Sequence, residues 1–376
     1  MGISTLTDLI GDLKSRRLVQ ELDPIRRPGA GRPTRPIALD GAPWCALGVH
    51  ISPHAVSVAA TTMGGEELWL VTEPATLRGA DPGEAFAQVR DILLRRLAEV
   101  PDGCEVIAVE VALPGVVLRD HGQLEYAADL PWTNFPIREQ IREVLTEAGI
   151  SGIHVGVAND GRFAGLYATR SELRLPPSSV AVYIGGLSGI ASGVIVNGNI
   201  FGGAYGVAGD LAHSNAARGE TECWCGRHGC LTTVLGPEAL LSRSGLMSLE
   251  DAHRAVADDA WACLEQLRSE AAAGNEQVLT ALAEAGSALG GVIDDVLGLL
   301  NPHAAILGGY VGVLSPYLRS TMDARLSRRL SDPAFAATLV VSLEADEPRV
   351  VRGAATAARD ACLADPLSLT RPISRA

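Results

Sequence analysis

Lysine is nearly absent. Lys14 is the only one among 376 residues, and every other basic position is arginine. Acids outnumber bases, and the formal charge is −13. The molecule as a whole therefore repels nucleic acid and anionic membranes, so any contact with DNA must come from a local patch. No uninterrupted apolar run is long enough to span a bilayer. The amino-terminal stretch MGISTLTDLIGDLKSRR lacks the charged-then-apolar order of a signal peptide. These absences point to a reducing, cytoplasmic setting without a membrane partner. No internal repeat is visible, although the length suffices for two lobes, each with its own core.

What is present is a concentration of glycine and cysteine from Gly202 to Gly236, GGAYGVAGDLAHSNAARGETECWCGRHGCLTTVLG. Cys223, Cys225 and Cys230 fall within eight positions, with His213 a loop's distance upstream. Three thiolates and one imidazole make a closed tetrahedral Zn²⁺ set, the pattern of a structural rather than a catalytic site. Glycines allow the tight, positive-φ turns that bring such ligands onto one ion. A disulfide with a spare thiol is the alternative, although Cys-X-Cys is a poor disulfide pair. His228 is a rival fourth ligand; lying inside the cysteine loop, it would have to fold back sharply. The remaining cysteines, Cys45, Cys104, Cys263 and Cys362, stand in apolar surroundings and read as buried thiols.

The same segment resembles the zinc signature of the ROK family (repressors, open reading frames and sugar kinases), Gly-Glu-x-Gly-His followed by Cys-x-Cys-Gly-x-x-Gly-Cys-Leu-Glu. Here it reads Gly209-Asp210-Leu211-Ala212-His213 and Cys223-Trp224-Cys225-Gly226-Arg227-His228-Gly229-Cys230-Leu231-Thr232. The ligands match, whereas Asp210 and Thr232 replace two glutamates. The resemblance covers roughly Leu47 to Ala364. It implies zinc on His213, Cys223, Cys225 and Cys230, and a sugar pocket lined by Asn159, Asp160, Asp210 and His213. In kinases of the family the aspartate of the Asn-Asp pair is the general base; an Asn-Asp at a strand end is also an ordinary helix N-cap. The Pro114-Gly115 turn resembles a loop that lies beside the sugar, and Asp129-Leu130-Pro131-Trp132 resembles Asn-Leu-x-Trp. Asn301-Pro302 through Gly308-Gly309 is similar to the element that meets the adenosine side of a nucleotide.

Two departures argue against a kinase. Where the family's enzymes carry Asp-x-Gly-Gly-Thr for ATP and Mg²⁺, this chain has His50 and the turn Ser52-Pro53-His54. Proline has no N–H to offer a phosphate, and histidine is a poor Mg²⁺ ligand. The Gly185–Gly193 turn, where kinases make a second phosphate contact, is a weak signal alone.

Ile3 to Leu22 reads as one amphipathic helix and its exit, with Leu6, Leu9, Ile10, Leu13 and Leu18 at helical spacing and Ser4 or Thr5 as cap. A basic stretch rich in Gly and Pro follows. Together they resemble the recognition helix and wing of the winged helix-turn-helix in ROK repressors. The resemblance implies DNA phosphate contacts from Lys14, Arg16, Arg17 and Arg32. The two helices that precede this helix in the module have no counterpart in the sequence as written. The expectation is therefore weak operator binding by this chain, and an upstream start that restores the module.

The expected fold is α/β, the two-lobed actin-like (ribonuclease-H-like) sugar-kinase fold with a winged-helix fragment. Its expected divisions are 1–43 as fragment and linker, 44–157 as first lobe with the helix 352–365 packed back on it, and 158–343 as the zinc-bearing second lobe. The expected function is a sugar-responsive transcriptional regulator, a repressor, acting on a sugar or sugar phosphate and on operator DNA as a homodimer or homotetramer. No catalytic residue is expected. The alternatives are an ATP-dependent hexose or N-acetylhexosamine kinase with Asp160 as base, or a decayed protein with neither activity.

Overall fold

The computed structural model describes residues 2–25, 35–41, 43–216, 221–333, 338–344 and 348–366. The chain divides into two units, one running to Ala158 and resuming at Val351, the other from Asn159 to Val350. Among the described residues no helix is long and apolar enough to cross a membrane.

The first unit begins with α1 (Ile3–Ser15), β1 (Val19–Glu21) and β2 (Ile37–Leu39). β3 (Trp44–Ser52), β4 (Ala55–Thr62) and β5 (Glu67–Pro74) form an antiparallel meander. After α2 (Pro82–Leu97), β6 (Glu105–Leu113) returns parallel to β3. β7 (Val116–Leu118), β8 (Gln123–Tyr126) and β9 (Thr133–Phe135) make a small sheet of their own. α3 (Ile137–Glu147) and β10 (His154–Asn159) complete the main sheet, whose order is β10-β6-β3-β4-β5.

Strict alternation along β3 explains how this sheet is covered. Cys45, Leu47, Val49 and Ile51 enter the core shared with Phe86, Val89 and Leu93 of α2 and Ile141 and Val144 of α3. The opposite face carries small residues, and the α-helix near the carboxyl terminus, α10 (Pro348–Ala364), lies on it. A β-carbon on Gly48 would come 2.2 Å from the Val351 carbonyl, so only glycine admits the helix there. Asp81 caps α2 through the Gly83 and Glu84 amides, and Pro82 occupies its first turn.

The second unit opens with α4 (Asp160–Tyr167), which continues into a π turn, Ala168–Glu172. β11 (Val180–Gly185), β12 (Ala191–Val196) and β13 (Asn199–Ile200) form another antiparallel meander. After the cysteine-rich loop come α5 (Thr232–Leu235), α6 (Pro237–Arg243), α7 (Leu249–Ala272) and α8 (Glu276–Leu300). β14 (Ala304–Leu307) then runs parallel to β11, α9 (Gly309–Leu330) follows, and β15 (Leu339–Ser342) pairs parallel with β14. Strands counted by their order within each five-stranded sheet give 3-2-1-4-5 for both. The topology is duplicated although the sequence shows no repeat.

The amino-terminal helix ends earlier than its pattern suggests. α1 stops at Ser15, and Arg17 takes a left-handed φ of 54°. Neither Ser4 nor Thr5 caps it, since Gly2 is the N-cap and no side chain bonds there. Leu6 and Leu9 stay exposed, and Leu13 and Leu18 provide the anchorage, packing with Trp44, Met63, Ile107 and Cys362.

Candidate functional site

The cysteine loop is shaped by backbone pairing before any side chain is considered. The Cys223 amide donates to the Arg227 carbonyl and the Gly226 amide to Cys223, with Gly226 and Gly229 at φ of 80° and 72°. Ala216 bonds Gly229, Leu231 bonds Ser214 and Thr232 bonds Ala212, which lays the His213 segment beside Cys230. One ligand atom from each of His213, Cys223, Cys225 and Cys230 therefore falls within 4.8 Å of all the others. Cys223 Sγ lies 3.5 Å from His213 Nδ1, and Cys225 Sγ lies 3.6 Å from Cys230 Sγ. Tetrahedral zinc with Zn–S near 2.3 Å places sulfurs roughly 3.8 Å apart, whereas a disulfide needs about 2.05 Å. The four residues fit a metal ion. His228 is exposed, pairs through its backbone with Glu222, and is not among them. Burial opposes ionisation of Cys225, but the Arg227 amide and guanidinium bring its thiol down to about 7. Burial, reinforced by the neighbouring thiols, pushes Cys230 up to about 12. Burial also lowers His213, against the pull of Asp210, and its ring meets that of Trp224 nearly at right angles, with centroids 4.7 Å apart.

Asn159 and Asp160 sit where β10 turns into α4. Both side chains accept from the Gly161 amide, at 2.9 and 2.8 Å, so the capping role is real here. Glycines press this helix end onto β12: a β-carbon on Gly161 would lie 2.4 Å from the Ser192 amide nitrogen. Ser192 Oγ donates to the Gly209 carbonyl at 2.6 Å and accepts from the Leu211 amide at 2.9 Å. The buried Arg162 reaches the carbonyls of Gly206 and Ala208. Those bonds fasten the loop carrying the exposed Asp210 and the half-buried His213 to Arg162 of α4 and Ser192 of β12. Sequence reasoning missed Arg162 and Ser192; the only signal was a charge and a hydroxyl at otherwise apolar positions.

Gly115 belongs to the first unit, at φ 91°, where a β-carbon would meet the Tyr126 carbonyl at 2.2 Å. Nearby, Asp129 is held by Arg78 at 2.7 Å. Trp132 is buried, stacked on Phe135 at 4.9 Å.

The β3–β4 hairpin is closed tightly around Pro53 and His54, with Ser52 paired to Ala55. The Pro53 carbonyl accepts from the Leu77 and Arg78 amides, and the His54 carbonyl from Ala75. Burial lowers His50 to about 4. In the second unit the glycine backbone is retained: Gly309, at φ 51°, comes so near Gly186 that a β-carbon would lie 2.1 Å from its carbonyl oxygen, and Tyr310 donates its amide to that same carbonyl.

The basic amino-terminal residues are matched by acids more closely than their sequence suggests. Lys14 and Arg35 share Glu21 at 2.8 and 3.1 Å, Arg16 meets Asp12 at 3.1 Å, and Arg17 lies 3.8 Å from Asp40. Arg32 lies outside the described residues.

A charge cluster inside the first sheet was not legible in the sequence. Glu110 of β6 is wholly buried, with Arg119 at 2.8 Å and His154 at 3.0 Å. Burial raises its carboxyl, but His154 and Arg119 outweigh that and hold it below the usual carboxylate range.

Two sheets of one order, each with helices on its faces, define the actin-like class of α/β sugar-kinase folds. A solved structure described as a ROK family transcriptional regulator, homolog of the E. coli MLC protein, superposes with TM-score 0.77 over 98% of this chain and 91% of that chain, at 20% identity. The family model for ROK matches residues 87–361, and the chain belongs to the ROK family. It is similar to the DNA-binding transcriptional dual regulator NagC of Escherichia coli strain K12, 26% identical over 86% of this chain and 78% of that protein. It is also similar to a glucokinase of Halalkalibacterium halodurans, 24% identical over 77% of this chain and 88% of that one. Regulators and sugar kinases thus both stand among its relatives.

Proposed function

We propose that this protein is a cytoplasmic, sugar-responsive transcriptional regulator that uses a kinase-derived fold as its sensor. The observation that carries this reading is the β3–β4 turn. A phosphate-binding hairpin must present free backbone N–H groups. Here Pro53 has none, and the Ala75–Arg78 segment lies across the turn, its amides bonded to the turn's carbonyls. His50 stands where a Mg²⁺-positioning aspartate is needed, and its low pKa keeps it neutral.

In this reading Asn159, Asp160, Asp210 and His213 bind a sugar or sugar phosphate, and Gly115 is a sugar contact as well. Zinc held by His213, Cys223, Cys225 and Cys230 supplies a structural crosslink when bound and keeps the His213 ring oriented. Asp160 acts as a sugar ligand, because a general base serves only when a phosphoryl group is positioned for attack. Lys14, Arg16, Arg17 and Arg32 contact operator phosphates in a homodimer or homotetramer.

One observation favours a kinase instead: the Gly186–Gly309 backbone meeting on the nucleotide side is intact. Incubation with ATP, Mg²⁺ and a panel including glucose and N-acetylglucosamine separates the two. The regulator reading expects calorimetric sugar binding with no sugar phosphate formed. Sugar phosphate that appears with this protein and disappears in Asp160→Asn would overturn it. Failure to bind any sugar of the panel would leave the third possibility, a protein that has lost both activities.

A further inference from the structure

A fully buried carboxylate in a central strand calls for a reason, because burying an ion pair contributes little to stability. A well-packed apolar pair of similar volume does as well or better. The first sheet nonetheless makes room for Glu110. A β-carbon on Gly156, in the neighbouring strand β10, would come 2.2 Å from its Oε1. The carboxylate's partner is Arg119, nine positions along the chain, which bonds both oxygens at 2.8 and 3.2 Å. Arg119 Nη1 also lies 3.5 Å from the Val157 carbonyl, and His154 Nε2 stands 3.0 Å from Glu110 Oε1. On the far side Arg138 of α3 donates to the carbonyls of Arg119 and Asp120.

The position of this pair in the chain is informative. Glu110 lies just before β6 ends, Arg119 follows β7 directly, and between them the tip of the connection is Pro114–Gly115. The ion pair therefore closes the base of that turn. A forked guanidinium on a carboxylate fixes orientation as well as distance. β6 is itself fixed in register by its pairing with β3. The turn has little freedom at its tip, where Gly115 packs against the Tyr126 carbonyl. Here the carboxylate is buried and the Arg119 side chain 31% exposed, and charge pairs that are wholly or partly buried can select one arrangement among several of similar energy.

We propose that Glu110 and Arg119 are positioning residues, a clamp that sets the Pro114–Gly115 turn for the ligand it meets. The identity of that ligand as a sugar rests on the function proposed above; the clamp itself does not. The decisive variant is the double replacement Glu110→Met with Arg119→Met, which removes the charges while keeping the volume. Three measurements apply to it: the unfolding midpoint, calorimetric affinity for glucose and N-acetylglucosamine, and amide hydrogen exchange.

The expected result is an unfolding midpoint equal to or above wild type, with sugar affinity at least about tenfold weaker. Exchange of the Gly115–Leu118 amides should accelerate at least about tenfold, while β3 and β6 remain protected. Wild-type affinity together with unchanged exchange at Gly115–Leu118 would overturn the clamp. If the double variant fails to fold, Arg119→Lys replaces it, keeping the charge without the fork. Weaker binding or faster exchange at an unchanged midpoint then supports the clamp, and no change in either refutes it. If the wild type binds neither sugar, the function proposed above fails for those ligands, and exchange at Gly115–Leu118 alone decides the clamp.

Discussion

At the residue scale the cysteine cluster and the buried glutamate illustrate opposite degrees of legibility. Cys223, Cys225 and Cys230 announce themselves because metal ligands contributed by one loop must be close in sequence. Replacing Cys225 with serine removes one thiolate from the proposed zinc set. Zinc content measured by elemental analysis should fall from one per chain towards zero, and the second unit should melt at a lower temperature, since a structural ion contributes folding free energy. Freshly purified, reduced wild type without zinc would remove this reading. Glu110 could not be found the same way, since its partner His154 is 44 positions away and its strand reads as apolar. His154 and Arg119 hold its folded pKa below the usual carboxylate range. Its ionised form therefore contributes stability above about pH 4.5, and that contribution is lost as pH falls through the folded value. The unfolding midpoint of Glu110→Gln should accordingly depend less on pH below about 4.5 than that of wild type, and parallel acid limbs would contradict the assignment.

At the element scale, the helix that begins with Asp160 ends in a π turn, and the turn has a consequence. It brings Glu172 onto Arg349, with the Nε and Nη2 of the buried guanidinium each 2.9 Å from a carboxylate oxygen. Arg349 also lies against the Tyr183 hydroxyl, whose pKa burial pushes up to about 12 while Arg349 pulls the other way. Glu172→Gln would leave a buried cation with half its partner, and should cost about 3 kcal/mol in a urea unfolding experiment. A loss below about 1 kcal/mol would mean that the pair is solvated or easily replaced. The end of α1 with the β1–β2 pair, proposed above to contact DNA, carries the other element-scale expectation. Its ion pairs are partly exposed and individually weak, so phosphates can displace the carboxylates. Four described cations, Lys14, Arg16, Arg17 and Arg35, predict a slope of log affinity for DNA against log salt of about −3.6, if each neutralises one phosphate. Lys14→Ala with Arg17→Ala should reduce that slope by about 2. An unchanged slope would place the DNA contacts elsewhere.

At the scale of the whole molecule, the duplicated 3-2-1-4-5 topology is the feature that sequence could not disclose. Strand order follows from which edges pair, and many different apolar alternations satisfy one order. Residues of the two units are therefore under no constraint to resemble each other. Several elements were hidden for related reasons. α9 has Pro316 in its interior and little separation of polar and apolar faces, so its periodicity is faint. Its packing is tertiary: Gly286 and Gly290 of α8 let it approach closely, and a β-carbon on Gly286 would sit 2.3 Å from the Leu318 carbonyl. Leu6 and Leu9 mislead in the other direction, being periodic as if for a core yet exposed.

What the sequence determined by itself is whatever depends on neighbours along the chain. That includes the spacing of the three cysteines, the Asn159–Asp160 pair at a helix start, the proline in the β3–β4 turn and the apolar faces of α2, α3 and α8. These are local matters of reach, dihedral angle and periodicity. Only the tertiary structure decided which side chains far apart in the chain would meet. It brought His213, with His228 left in solvent, to the three thiols; it set Arg162 and Ser192 under the loop of Asp210; and it closed Arg119 and His154 around Glu110. Burial makes the last of these necessary, since a carboxylate removed from water must find its partners within the fold, however distant they are in sequence.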